Sequence, residues 1–247
     1  MILGLPGGGE CFREIDDAVK KLTNKTVVFN AHMGTAPEGA VIYSMENLGS
    51  RPDWKIQSKT HEIWEFSKTN LPFYAPEECL KFGGIKHVPI GYHPSMERFS
   101  RAPKYDIDIA FAGAHNERRI QLFRELKRRG FRVELIPPER GFGPLRDAVL
   151  AKTRLAINVH YYTSPSLFEA LRVAHLISNK VPVLTEESPV PPDCEIPEEQ
   201  EWGLTGYPYE DLADVAEEWL TSSHIDLDEN ALSLFDKFKT RPMTCPQ

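Results

Sequence analysis

Four segments of the 247-residue chain carry side chains whose types and spacing suit chemistry on an anionic ligand. In Asp108–Arg119 an apolar stretch runs through Gly113 into a predicted helix whose first turn holds Arg118 and Arg119. Free N–H groups and the helix dipole favour phosphate there, and arginine adds bidentate charge. Two surface arginines paired with nearby carboxylates are the alternative. Leu5–Glu10 places Gly7, Gly8 and Gly9 between a strand and a helix. Glycine lets backbone N–H groups approach an anion, although a tight turn needs the same residues. No Gly-Lys-Ser/Thr follows, so this is not a P-loop. Asn158–Tyr162 sets His160, Tyr161 and Tyr162 just past a buried strand. In Ser166–Arg172 two roles are open for Glu169: capping-box partner of Ser166, or a carboxylate that accepts both hydroxyls of a ribose. His32, Glu46, His93 and His115 fall in further loops where a general base could sit. Trp64, Tyr92, Tyr161 and Tyr162 offer flat faces for a sugar or base, or for packing.

The elements that must position these groups alternate between strands and helices. Strands are predicted at Met1–Leu5, Thr26–Asn30, Ala40–Ser44, Glu62–Phe66 and Lys86–Ile90, with a helix over Glu10–Leu22. After the His93–Pro103 connection, strands are predicted at Ile107–Ala112, Arg132–Ile136, Leu155–Val159 and Val181–Thr185. Helices are predicted at Glu117–Arg129, Leu145–Lys152, Leu167–Ile177, Tyr209–Leu220 and Glu229–Phe238. Such alternation implies α/β architecture with parallel sheets: two small Rossmann-like, doubly wound units facing a cleft. The expected division is 1–98, 99–222, and a C-terminal helix and tail, 223–247, packing back on the first unit. Ligands of such sheets bind at the carboxyl ends of the strands, where all the loops named above converge.

Composition is that of a globular protein, 41% hydrophobic and 26% charged. The net charge of −7 is unevenly spread. Glu186–Asp236 holds 16 acidic residues and no Lys or Arg, whereas residues 104–185 hold 14 basic and 8 acidic residues. Positive charge is therefore concentrated in the segment with the phosphate-type turn, and a polyanion would need the acidic segment to face away. Cys11, Cys79, Cys194 and Cys245 are scattered, with no CxxC pair, so neither a zinc site nor a disulfide framework is expected. No signal peptide and no membrane-spanning run is apparent, and a cytoplasmic setting is expected.

Taken together, these segments resemble nucleotide-sugar-dependent glycosyltransferases of the two-domain GT-B type. The resemblance rests first on Phe168-Glu169-Ala170-Leu171 followed by Asn179-Lys180-Val181-Pro182-Val183-Leu184. More narrowly, Tyr43–Asn47, Ile63–Asn70, Val88–Tyr92, Phe111–Gly113 with Arg118-Arg119, and Asn158–Tyr162 are similar to compact, often phage-encoded members that modify DNA. The resemblance implies that Glu169 binds the donor ribose and that Gly8, Gly113, His115, Arg118, Arg119, His160, Tyr161 and Phe168 complete the donor side. It puts Trp64, Tyr92 and His93 on the acceptor side, His32 or Glu46 as base, and Arg118 at the leaving group. The position seven intervening residues before Glu169 is Tyr161, not Glu, so no stereochemical outcome is implied. Asp106-Ile107-Asp108 matches a metal-binding pattern, but Asp108 opens a buried strand, and no metal is expected.

The implied reaction moves a sugar from a nucleoside diphosphate, such as a UDP- or GDP-sugar, to a hydroxyl. The acceptor implied by the phage-type likeness is 5-hydroxymethylcytosine in DNA, which would have to be flipped or unpaired. A saccharide or other small acceptor is the alternative, and a non-catalytic nucleotide-binding protein is the reading from another class.

Overall fold

Short β-branched and aromatic runs build both sheets. The computed structural model describes residues 2–3, 13–29, 36–49, 60–74, 83–137, 141–164 and 166–244. The first sheet has five parallel strands in chain order: β1 (Ile2–Leu3), β2 (Val27–Phe29), β3 (Val41–Ser44), β4 (Glu62–Glu65) and β5 (Ile85–His87). Helix α1 (Arg13–Leu22) covers one face, its Ile15, Ala18 and Val19 packing against Val27, Phe29, Val41, Tyr43 and Trp64. Val28, Ile42 and Ile63 point the other way, onto Leu48 and Tyr74. Burial on both faces explains why these strands read as continuous apolar runs.

The second sheet is also parallel, in the order β10 (Gly206–Tyr207), β9 (Val183–Glu186), β8 (Thr153–Asn158), β6 (Ile107–Ala112), β7 (Val133–Ile136). The chain steps from β6 to β7 and then returns to the other side of β6 as β8, so the strand order reverses there. Helices α2 (Glu117–Arg128), α3 (Pro144–Ala151), α4 (Ala170–Ser178), α5 (Glu198–Glu201), α6 (Leu212–Thr221) and α7 (Leu227–Lys239) complete the chain. Phe123 and Leu126 of α2 pack with Leu212 and Ala216 of α6 on one face, while Leu150 of α3 and Val173 and Leu176 of α4 cover the other. Both faces are thus clothed, and the crevice at the β6/β8 carboxyl ends is the topological switch point. No described helix is long and apolar enough to cross a membrane.

Most elements lie within a few residues of their predicted bounds. The exception that matters is α4, which starts at Ala170 rather than Leu167. Leu167 and Phe168 instead turn inward, and Phe168 lies edge-on to Trp202 at 5.1 Å. The predicted strand Lys86–Ile90 ends at His87, before Pro89.

Polar pins join the two sheets. Asn179, 1% exposed, uses both ends of its amide: Oδ1 accepts from the backbone of Arg98 and Phe99 at 2.6 and 3.0 Å, and Nδ2 donates to Met96 O and His175 O. Ser67 Oγ and Lys68 N donate to the Glu198 carboxylate at 2.7 and 2.8 Å, and Lys68 Nζ reaches Glu201. The chain end returns to the connection: Tyr92 N donates to Arg241 O at 2.8 Å, and Phe235 and Phe238 of α7 meet the Tyr92 ring edge-on. Gly91 allows this contact, since a Cβ there would lie 2.5 Å from Met243 N. Helix α7 packs chiefly on α4, in the second unit.

Glu65, fully buried at the end of β4, accepts from Ser67 N, Asn70 Nδ2 and the Tyr74 hydroxyl. Burial outweighs those bonds and pushes its carboxyl up to about 7. The folded state therefore favours the protonated form. The stability this confers is complete below the ordinary value of 4.5 and is lost as pH rises through about 7. Melting curves from pH 5 to 8 should show the wild type losing about 3 kcal/mol relative to Glu65→Gln. Parallel curves for the two proteins would remove Glu65 from this role.

Candidate functional site

Arginine at the start of a helix needs a negative partner, and the second sheet supplies one across the switch point. Arg119, in the first turn of α2, is 2% exposed. Its Nη1 donates to Ala114 O at 2.7 Å, its Nε and Nη2 to Val159 O, and its Nη2 also to Glu169 Oε1 at 2.9 Å. Arg172, one turn into α4, reaches the other carboxylate oxygen at 3.1 Å and donates to Asn158 Oδ1 at 2.8 Å. Burial pushes the Glu169 carboxyl up, but Arg172 and Arg119 outweigh it and hold it below its ordinary value. Burial, with Arg172 beside it, lowers Arg119 to about 10, so it stays charged at neutral pH. Two guanidiniums against one carboxylate leave one positive charge at this point.

Helix ends add to that charge. Glu169 is the N-cap residue of α4, yet no side chain caps the helix, so the capping-box role for Glu169 with Ser166 is not realised. An uncapped helix N-terminus directs N–H groups at an incoming anion. Asn116 caps α2 by accepting from Arg119 N. Gly113, φ 157°, sits beneath the Arg172 guanidinium: a Cβ there would lie 2.8 Å from Nη2 and 3.0 Å from Cζ of Phe111.

The crevice above this cluster encloses about 330 Å³, within the range of small-molecule sites. Its walls are Arg119, His160, Tyr161, Glu169 and Arg172 from the second unit, with Met45, Glu46 and Asn47 from the first. A second chamber of about 240 Å³ continues inward past Gly113 to Phe142 and the buried Arg146–Asp147–His175 cluster. Glu46 lines both chambers. Its turn is held by Asn70, whose Nδ2 donates to Glu46 O and whose Oδ1 accepts from Leu48 N.

The structure sorts the predicted residues. Gly113, Arg119, His160, Tyr161, Glu169 and Glu46 come together around the crevice. His160 is 2% exposed and its Nε2 lies 3.0 Å from Glu187 O, which requires the proton on Nε2 and leaves Nδ1 an acceptor without a partner among the described residues. Tyr161, 36% exposed, has its ring 5.3 Å from the Arg119 guanidinium. His115 packs on Phe111 with Nε2 buried and without a partner among the described residues, away from the crevice walls.

With His115, six residues depart from expectation. Arg118 forms a bidentate pair with Glu186 and lies over the Tyr209 ring, 3.8 Å from its centroid, so its charge is already answered outside the crevice. Phe168 is core, 1% exposed. Trp64 is 2% exposed inside the first sheet, edge-on to Tyr43, and presents no face to an acceptor. Tyr92 bonds through its hydroxyl to Glu97, and burial with that carboxylate raises it to about 12. His93 caps the turn Pro94–Met96 and contacts Lys21 Nζ at 2.8 Å; burial and that lysine hold it below the usual imidazole value. Gly8 and His32 lie outside the described residues. Arg172 is the residue that sequence reasoning passed over. Its signal was the i, i+3 spacing from Glu169, which puts both on one helix face. Asp108, in the metal-type pattern, accepts from Arg132 N and its guanidinium. No group of three or more metal-ligating residues occurs among the described residues.

No protein-family model matches the chain. It is 30% identical over 204 residues to uncharacterized protein L138 of Acanthamoeba polyphaga mimivirus, covering 80% of this chain and 21% of that protein. Uncharacterized protein R358 of the same virus is 28% identical over 127 residues, half of this chain and 43% of the relative. The chain thus spans a fifth to less than half of the length of these relatives. Among solved structures, the DNA-modifying enzyme β-glucosyltransferase superposes with TM-score 0.46 at 14% identity, over 97% of this chain and 93% of that one. T4 phage BGT in complex with UDP and Mn2+ gives 0.41 at 16%, over 93% and 82%. AviGT4, a glycosyltransferase involved in avilamycin A biosynthesis, gives 0.40 at 12%, over 93% and 89%.

The cradle generates a specific expectation. In Gly113→Ala the added methyl displaces the Arg172 guanidinium, so binding of an anion in the crevice, probed with inorganic pyrophosphate, should weaken about tenfold, or ~1.4 kcal/mol. Titration calorimetry reads this directly. Unchanged affinity in a folded variant would show that Arg172 does not face the ligand.

Proposed function

We propose that the chain is a glycosyltransferase that moves a sugar from a nucleoside diphosphate to a hydroxyl acceptor. The observation that carries this reading is the Arg119–Glu169–Arg172 cluster at the uncapped start of α4, facing Glu46 across the crevice. The diphosphate meets Arg172 and the N–H groups of α4, where charge that builds on the leaving group is stabilised by preorganised donors. Glu169 accepts from the ribose hydroxyls while holding both guanidiniums in aim. Tyr161 offers its ring to the nucleoside or sugar. Glu46, on the opposite wall, is the carboxylate placed to take the proton of the acceptor hydroxyl. The leaving-group charge is met by arginine, and no step is routed through a metal. The resemblance in sequence supports the same reading, with a hydroxymethylated base in DNA as its implied acceptor.

The test is calorimetry with UDP, GDP and their sugars, followed by transfer assays. Glu169→Ala should weaken nucleoside diphosphate binding at least tenfold and inorganic pyrophosphate binding less, because it removes the ribose contact and also releases the two guanidiniums that Glu169 holds in aim. Glu46→Gln should lower kcat about 10²-fold at unchanged donor affinity, the usual scale for losing a general base. The reading fails if none of these nucleotides binds.

A further inference from the structure

We propose that the acceptor is an uncharged polyhydroxylated molecule, a saccharide, seated in the groove that opens from the crevice beside Tyr209. This rests on the glycosyltransferase reading above. The groove, about 1030 Å³, adjoins the crevice: Asn47 and Ser166 line both. Asn47 adjoins Glu46, so a molecule in the groove brings its end to the proposed base and to the donor.

The charge of the groove decides what it can hold. Arg118 is its sole cation among the described lining residues, against Glu186, Glu187 and Glu210. Arg118 is consumed by its bidentate pair with Glu186 and its stacking on Tyr209. What faces the occupant is therefore Glu187 and Glu210, both exposed. A nucleic acid carries one charge per phosphate and binds where lysine and arginine replace its counterions. This wall repels it. Of the acidic run that begins at Glu186, three residues, Glu186, Glu187 and Glu210, line this groove.

The same wall suits a sugar. Phe73, 37% exposed, offers an aromatic surface to the C–H side of a pyranose ring, beside a Tyr209 ring already covered by Arg118. Thr163 and Ser164 can donate or accept, and the two glutamates accept from ring hydroxyls. In the reaction an acceptor hydroxyl oxygen bonds to the anomeric carbon of the donor. The bond from that carbon to the diphosphate oxygen breaks, its electron pair leaves with the nucleoside diphosphate, and the hydroxyl proton passes to the Glu46 carboxylate.

The experiment pairs donor calorimetry with transfer. The protein is incubated with UDP- and GDP-sugars and either end-labelled oligosaccharides or DNA containing 5-hydroxymethylcytosine, single- and double-stranded. Mass gain is then measured. A saccharide should gain one sugar, at a rate that changes less than twofold between 50 and 300 mM salt. Phe73→Ala and Glu210→Lys should each raise the acceptor KM about tenfold with donor affinity unchanged. The proposal is overturned if the DNA gains sugar and the saccharides do not, or if donor binds and no oligosaccharide gains mass. If no donor binds, the broader glycosyltransferase reading falls, which is a distinct result.

Discussion

A guanidinium taken out of water must be answered on every side, and Arg119 sets the terms for the second unit. Removing such a charge from solvent costs several kcal/mol unless hydrogen bonds and a counter-charge compensate. Here the compensation comes from Ala114 O after β6, Val159 O after β8, and Glu169 at the start of α4. Three chain segments are thereby tied to one planar group. The place where they are tied is the switch point, where a parallel sheet offers a crevice. Glu169 cannot move without stranding Arg119, and Arg172 closes the arrangement from the other side. Net positive charge, helix N–H groups and a fixed carboxylate are consequences of this one burial.

The first unit contributes by reaching over. Its β3–β4 edge carries the turn with Glu46, and Asn70 links that turn to the buried Glu65. Ser67, in the same segment, is fastened to Glu198 of the second unit. A chain of satisfied buried polar groups therefore runs from the inter-sheet contact to the candidate base. Such networks rigidify when complete and are costly when broken, so they suit a residue that must be held opposite a reacting centre.

How much of this was legible in the sequence differs between elements. Ile107–Ala112 was read to the residue, because an apolar run stopped by glycine has no competing interpretation. The converging loops followed from parallel topology. By contrast, neighbouring arginines point about 100° apart on a helix, and sequence does not say which faces inward. Arg119 does, and Arg118 serves Glu186. The role of Arg172 depends on the missing Cβ of Gly113, a relation between α4 and β6 that only the packed sheet reveals. Ser166 looked like a cap, but burial of Leu167 and Phe168 delays the helix and frees Glu169 for the arginines. In Glu62–Phe66, Trp64 shares a strand face with Glu62 and is followed by Glu65, so charged neighbours flank it. It is buried because β4 is central and Glu62 and Glu65 are themselves paired within the protein.

In the sequence, positive charge is concentrated in residues 104–185 and acid beyond them, with the direction of the acid unstated. The groove shows that Glu186, Glu187 and Glu210 turn toward the cleft. The most direct test of the central claim is a crystal structure with a bound nucleoside diphosphate. The account predicts the diphosphate against Arg172 and the first turn of α4, with the ribose hydroxyls on Glu169. A nucleotide bound elsewhere, with the Arg119–Glu169–Arg172 cluster untouched, would contradict it.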